Sequence, residues 1–129
     1  MRVPIGGPRT ILVLDHEPAV LRLLRFLLVT AGYNVLEART DEEALAKVEE
    51  SQLPIDLLLA DLELPRTTRR ILTEEVRART PATRILYMSS LSDAELRRAG
   101  LAGVAVITKP LAAGTLVRRI RESFEDHWH

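Results

Sequence analysis

Four short apolar runs in this 129-residue sequence each end in side chains that can do chemistry. The run at 11–14 is followed by a carboxylate and an imidazole, and the run at 57–60 is followed by a single carboxylate. The runs at 85–88 and 104–107 end in a serine pair and in Thr-Lys-Pro. The groups concerned are Asp15, His16, Asp61, Ser89 and Lys109. If the runs are parallel strands, their carboxyl ends share one crevice, which is where open α/β sheets bind ligands.

A polar residue at the end of a strand often does no more than open a loop. Asp61 alone, at the end of a Leu-Leu-Leu-Ala run, would be interpreted in that way. Because four runs end alike, a shared ligand site is the favoured interpretation, and it requires the four runs to lie parallel in one sheet.

The elements that would position these groups are five strands alternating with five helices. Strands are predicted at 10–14, 33–37, 55–60, 84–88 and 104–107. The first helix is predicted at 19–30 after Pro18, and the second at 41–50 behind a Thr40 capping box. A polar loop follows Pro65, and the third helix follows that loop. The fourth helix is predicted to run from a Ser92 capping box to near Gly100, and the fifth at 111–127. Such alternation predicts a doubly wound parallel sheet with helices on both faces.

The organisation of the chain is predicted to be simple. Residues 1–9 are rich in Gly and Pro and are predicted to form a flexible leader. Residues 10–127 are predicted to form one domain, with no output domain behind it. Basic and acidic residues balance at 18 each, which argues against a protein built to grip nucleic acid. The chain has no cysteine, and it shows neither a membrane span nor a signal peptide. We therefore expect a cytoplasmic protein that binds neither nucleic acid nor membranes directly.

At this point the residues resemble a known family, the receiver domains of two-component response regulators. The resemblance covers about residues 10–126 and depends on four landmarks in order. They are the acidic cluster after the first strand, Asp61 followed by Leu-Glu-Leu-Pro, Ser89, and Lys109-Pro110, whose peptide bond is commonly cis in that family. The resemblance implies a flavodoxin-like five-stranded sheet with strand order 2-1-3-4-5.

The resemblance also implies roles for single residues. Asp61 would accept a phosphoryl group from a histidine kinase or a phosphotransfer protein. Asp15, Asp61 and the backbone carbonyl of Glu63 would hold Mg²⁺, a cation that prefers oxygen ligands and neutralises charge during phosphoryl transfer. Ser89 would donate a hydrogen bond to the phosphoryl group, and the ammonium of Lys109 would pair with it.

His16 departs from the family pattern, because a second acid usually stands there. Imidazole is a poor Mg²⁺ ligand and a good ligand for softer metals. We therefore expect weak Mg²⁺ binding with Mn²⁺ as a substitute. A preference for manganese or zinc through His16 and the absence of any metal role for His16 both stay open. Glu17 either compensates for the lost acid or simply begins the helix.

Three further departures concern the loops and the switch. Val106 stands where many receivers carry an aromatic residue that rotates inward, which predicts a muted switch or one carried by the Ser89 loop. Arg66 and Arg69 stand where glycines are common, and they predict either an altered loop that attracts an anion or a solvated helix start. The resemblance implies that the Glu63 side chain would reach the phosphorylation pocket and tune hydrolysis of the phosphoryl group.

Two functions therefore remain. The first is a phosphoacceptor receiver, either stand-alone or cut from a hybrid kinase, that signals to a downstream protein. The second is a receiver-like interaction module that works without phosphorylation, with a contact surface, and a possible homodimer, in the region of the last helix. Its arginines would be Arg97, Arg98, Arg118, Arg119 and Arg121. We do not expect an enzyme, since no G-x-G-x-x-G or P-loop motif follows a strand and no nucleophile elbow is present.

Overall fold

The computed structural model describes residues 8–63 and 65–125, and these form one parallel sheet between two layers of helices. The strands are β1 (Thr10–Leu14), β2 (Asn34–Ala38), β3 (Leu57–Asp61), β4 (Arg84–Ser89) and β5 (Val106–Thr108). All pairings are parallel, and the strand order is β2-β1-β3-β4-β5. This confirms the predicted flavodoxin-like doubly wound arrangement.

The helices are α1 (Pro18–Thr30), α2 (Asp41–Glu50), α3 (Arg66–Arg79), α4 (Asp93–Arg98) and α5 (Ala113–Glu125). Each begins or ends where local chemistry dictates. The Thr40 hydroxyl accepts from the Glu43 N–H at the start of α2, and Ser92 and Glu95 form a complete capping box at the start of α4. Gly32, at φ 100°, follows α1 in a conformation that a residue with Cβ rarely adopts. None of the helices in the described part of the chain is long and apolar enough to cross a membrane.

Strand alternation divides the core into two layers. On β1, Ile11 and Val13 pack on the side of α1 and α5, whereas Leu12 and Leu14 pack on the side of α2 and α3. These four side chains have no exposed surface, and burying one such residue contributes about 1.5–3 kcal/mol. A central strand buried on both faces holds its backbone rigidly, so the residues at its carboxyl end are rigidly placed too.

Several element boundaries differ from the predictions. β2 is shifted by one residue, α5 begins two residues late, and α3, β3 and β5 differ too. The predicted polar loop after Pro65 is wrong, because α3 begins at once with Pro65 as its N-cap residue; proline sets a backbone angle that suits a helix entry. β3 begins two residues late, at Leu57, and directly before it the Asp56 side chain accepts from the Thr10 N–H at 2.7 Å. β5 is shifted to Val106–Thr108 behind a turn. Residues 1–7 and 126–129 lie outside the described part, so the predicted leader and the domain limits 10–127 stay predictions.

Candidate functional site

The candidate site lies where the order in which the strands are added to the sheet reverses, between β1 and β3. Along the chain, β1 leads outward to β2, and β3 then starts the other half of the sheet on the opposite side of β1. Asp15 follows β1 directly and Asp61 ends β3, so both carboxylates stand at the carboxyl ends of two adjacent central strands. In folds of this type, ligands bind in the crevice at this switch point.

Both carboxylates are buried and oriented by backbone hydrogen bonds. Asp15 is fully buried and Asp61 is 1% exposed. The Glu17 N–H donates to Asp15 Oδ1, and the Glu63 N–H donates to Asp61 Oδ1, each at 2.9 Å. In each case an aspartate side chain accepts from the backbone two residues further on, which fixes its rotamer. The Oδ2 atoms of both side chains are left to face the crevice.

Lys109 brings positive charge to these two oxygens. Its Nζ donates to Asp15 Oδ2 at 2.9 Å and lies 3.7 Å from Asp61 Oδ2. Burial by itself would lower the pKa of Lys109. The hydrogen bond to Asp15 and the charges of Asp15, Asp61 and Glu63 outweigh burial and hold that pKa above its usual value. Lys109 is therefore an ammonium ion at neutral pH, held between two carboxylates.

The backbone of β4 and β5 holds Lys109 and Ser89 side by side. The Lys109 N–H donates to the Ser89 carbonyl at 2.8 Å, and the Lys109-Pro110 peptide bond is cis. Ser89 is fully buried, and its Oγ accepts from the Leu91 N–H at 3.0 Å. Within the described residues, no hydrogen bond joins the Ser89 side chain to either aspartate. The serine thus stands in the same crevice with its hydroxyl proton free to point at a ligand.

His16 is the exposed member of the site. Its side chain is 65% exposed, and its Nδ1 lies 3.5 Å from Asp61 Oδ2 and 3.8 Å from Asp15 Oδ1. The imidazole and the Lys109 ammonium thus both approach Asp61 Oδ2, and the imidazole does so from the more exposed position.

Sequence reasoning missed one member of the site, Ser90. Its hydroxyl donates to Glu63 Oε1 at 3.2 Å, which ties the loop after β3 to the loop after β4 across the mouth of the crevice. The only signal in the sequence was the serine pair that ends the fourth apolar run. The Glu63 carbonyl, predicted as a metal ligand, stays a prediction.

The two carboxylates of the site suit a hard cation. Oxygens of Asp15 and Asp61 together with the Nδ1 of His16 all lie within 4.8 Å of one another. Each aspartate has one oxygen engaged by a backbone N–H and further lone pairs available, and Mg²⁺ is commonly held by one or two carboxylates with water completing the shell. The two carboxylates therefore fit the magnesium that the family resemblance implies.

A second feature lies between α4, β5 and α5. A cavity of about 490 Å³ is lined there by Leu96, Arg97, Val106 and Arg119, with small residues between them. Two of the five arginines predicted to mark a partner surface thus stand at one cavity. The switch position, Val106, is half-buried in its wall.

Comparisons with known proteins agree on one family. The profile of the response regulator receiver domain matches residues 11–121. The transcriptional regulatory protein AruR of Pseudomonas aeruginosa is 34% identical over 125 residues, which cover 88% of this chain and 51% of that protein. This chain spans about half the length of the curated relatives it matches.

Solved structures show the same fold. A CheY-like receiver domain protein from Methanospirillum hungatei superposes with a TM-score of 0.75 at 29% identity, over 93% of this chain and 96% of that one. The receiver domain of the hybrid histidine kinase CckA superposes with a TM-score of 0.69 at 32% identity, over 88% of this chain and 96% of that one.

Proposed function

Since the chain belongs to the family of response regulator receiver domains, we propose that it accepts a phosphoryl group on Asp61 and signals through the change that follows. Phosphorylation-dependent signalling between histidine kinases and downstream effectors is the general function of this family. One observation supports the assignment to Asp61 above all. The buried carboxylate at the end of β3 lies 3.7 Å from the ammonium of Lys109, which in turn is held by Asp15.

In the proposed transfer, Asp61 Oδ2 is the nucleophile, because Oδ1 is engaged by the Glu63 N–H. The bond between phosphorus and a histidine nitrogen of the donor breaks as the bond between phosphorus and Oδ2 forms, and the electron pair stays on that nitrogen. Lys109 then pairs with a phosphoryl oxygen, and the Ser89 hydroxyl donates to another. Most of the assistance is positioning and charge stabilisation, as expected for phosphoryl transfer.

A divalent cation, Mg²⁺ or in its place Mn²⁺, would be held by oxygens of Asp15 and Asp61 and by the Glu63 carbonyl. It would supply positive charge next to the transferring oxygens. The donor of the phosphoryl group is proposed to be a histidine kinase or a phosphotransfer protein. The phosphorylated chain is proposed to signal to a downstream protein, with no catalysis of another substrate.

The proposal is tested by incubating the chain with acetyl phosphate and Mg²⁺ and measuring the intact mass. We expect the wild type to gain one phosphoryl group and Asp61→Asn to gain none. Asp56→Asn is the matched control, because Asp56 is bonded to the Thr10 N–H at the opposite end of β3. Equal labelling of the wild type and Asp61→Asn would show that another residue is the acceptor.

A second function is favoured by the cavity beside Arg97 and Arg119. In this alternative the chain binds a partner, or a second copy of itself, through α4, β5 and α5 without phosphorylation. Val106 supports it, because a small side chain at the switch position leaves room in the cavity wall. A partner affinity that is the same with and without a beryllofluoride phosphoryl mimic would support this function, whereas binding that requires the mimic would exclude it.

A further inference from the structure

The exposed histidine beside two buried aspartates gives the site a mixed set of nitrogen and oxygen donors. We propose that Asp15, His16 and Asp61 bind a transition-metal ion of the zinc class through two carboxylate oxygens and the imidazole nitrogen, and that His16 makes this site select such ions over Mg²⁺. The proposal shares two carboxylates with the proposed phosphorylation site, and it rests on the donor geometry rather than on phosphoryl transfer.

The spacing of the donors fits a four-coordinate ion. Ligand atoms that are 2.0–2.2 Å from a tetrahedral zinc ion lie about 3.3–3.6 Å apart. Neighbouring oxygens around an octahedral magnesium ion lie closer, at about 2.9–3.0 Å. His16 Nδ1 is 3.5 Å from Asp61 Oδ2 and 3.8 Å from Asp15 Oδ1. The distance to Asp61 lies within the tetrahedral range and the distance to Asp15 slightly beyond it, so a small movement of the imidazole brings its nitrogen to that spacing from both oxygens.

The charge of the site suits a divalent cation. Asp15, Asp61 and Glu63 all act on Lys109, so three carboxylates surround one ammonium. Lys109 donates to Asp15 Oδ2, whereas Asp15 Oδ1, 3.8 Å from the imidazole, accepts one hydrogen bond from the Glu17 N–H and keeps a further lone pair for an ion. A divalent ion between His16 and the two aspartates would offset the two remaining negative charges.

His16 is also accessible and chemically distinctive in this chain. With 65% of its side chain exposed, it can meet an ion from solvent without any opening of the fold. The chain has no cysteine and only three histidines in all. The other two, His127 and His129, lie outside the described residues and can both be replaced, which leaves His16 as the one imidazole of the chain. Any nitrogen ligation by the described imidazole is therefore separable by mutation.

The test is a direct titration with the metal alone. Zn²⁺ and Mg²⁺ are titrated by calorimetry into the full chain carrying His127→Ala and His129→Ala, and into the same chain with His16→Ala or His16→Asp added. Zinc binds most nitrogen and oxygen sites better than magnesium, so a higher affinity for Zn²⁺ than for Mg²⁺ does not by itself support the proposal. The expected evidence is the change in each affinity when His16 is replaced. His16→Ala should lower the affinity for Zn²⁺ about tenfold or more, which is the scale at which altered metal sites lose affinity. The affinity for Mg²⁺ should stay within about threefold of its value before the substitution. His16→Asp should raise the affinity of the site for Mg²⁺ and lower its affinity for Zn²⁺.

A second readout needs no variant at the site. The ring-nitrogen NMR signals of His16 should shift when Zn²⁺ is added and stay in place when Mg²⁺ is added. The proposal is overturned if His16→Ala leaves the zinc affinity unchanged, or if the His16 nitrogens do not respond to Zn²⁺. Such a failure leaves labelling of Asp61 in the presence of Mg²⁺ intact. Conversely, a chain that binds Zn²⁺ through His16 but is never labelled refutes only the phosphoacceptor proposal.

Discussion

Removing the charge of Lys109 should destabilise the fold, because its ammonium is the counter-ion of two buried carboxylates. At an effective dielectric constant of about 20, Coulomb's law gives about 6 kcal/mol at the 2.9 Å distance to Asp15 and about 4.5 kcal/mol at the 3.7 Å distance to Asp61. Desolvation of the three groups offsets most of this gain. Breaking a buried pair from one side typically costs about 3–5 kcal/mol.

The Lys109 side chain is 17% exposed, so water screens part of the loss. We therefore expect Lys109→Met to lower the free energy of unfolding by about 2–4 kcal/mol. The measurement is urea denaturation at neutral pH, where the raised pKa keeps Lys109 charged in the wild type. The pair contributes while Lys109 stays protonated, so its contribution should be lost only as the pH rises through that raised pKa.

A double-mutant cycle separates the ion pair from other effects of the substitution. Asp15→Asn and Lys109→Met should couple by about 1–3 kcal/mol, since the residues share a hydrogen bond. Asp61→Asn is the matched control, because it leaves that hydrogen bond in place. It should lower the free energy of unfolding clearly less than Lys109→Met does. If the two substitutions of the cycle are additive, or if Lys109→Met is as stable as the wild type, the argument from the buried pair is refuted.

Two further predictions concern stability away from the site. Leu58 lies in the centre of β3 and is 1% exposed, so Leu58→Ala should lower the free energy of unfolding in urea by about 2–5 kcal/mol. Phe26 on α1 is 68% exposed, so Phe26→Ala should change that free energy by no more than about 0.5 kcal/mol. Equal losses would refute the assigned core. The backbone hydrogen bond from Ser92 lowers the pKa of Glu95 below its usual 4.5. The advantage of the wild type over Glu95→Gln should therefore be present above that value and disappear as the pH falls through the lowered pKa; an advantage that persists in acid would contradict it.

The fold was predictable because strong local signals agree with one another. Apolar runs of four or five residues alternate with helical periodicity, and proline and the Thr40 and Ser92 caps fix the starts of three helices. The start of α3 at Pro65 is a local effect, whereas the surroundings of the β3 start include a contact between distant segments. The hydrogen bond from the Thr10 N–H to the Asp56 side chain, 46 residues away, lies directly before β3, and no local pattern reveals it.

The site was predictable as a set of residues but not as a set of bonds. Strand ends identify Asp15, Asp61, Ser89 and Lys109, since parallel strands must bring their carboxyl ends together. That Lys109 donates to Asp15, 94 residues away, and only approaches Asp61 depends on side-chain geometry. The same holds for the contact between Ser90 and Glu63, which joins two loops that the sequence does not connect.

Transfer from a phosphorylated histidine kinase is the most direct test of whether Asp61 accepts the phosphoryl group. The measurement follows the radiolabelled phosphoryl group from the kinase histidine to the wild type, to Asp61→Asn and to Asp15→Asn, in Mg²⁺ and at equal protein concentration. The account predicts stoichiometric transfer to the wild type, slower transfer to Asp15→Asn, and none to Asp61→Asn. Transfer to Asp61→Asn at the rate of the wild type would contradict it.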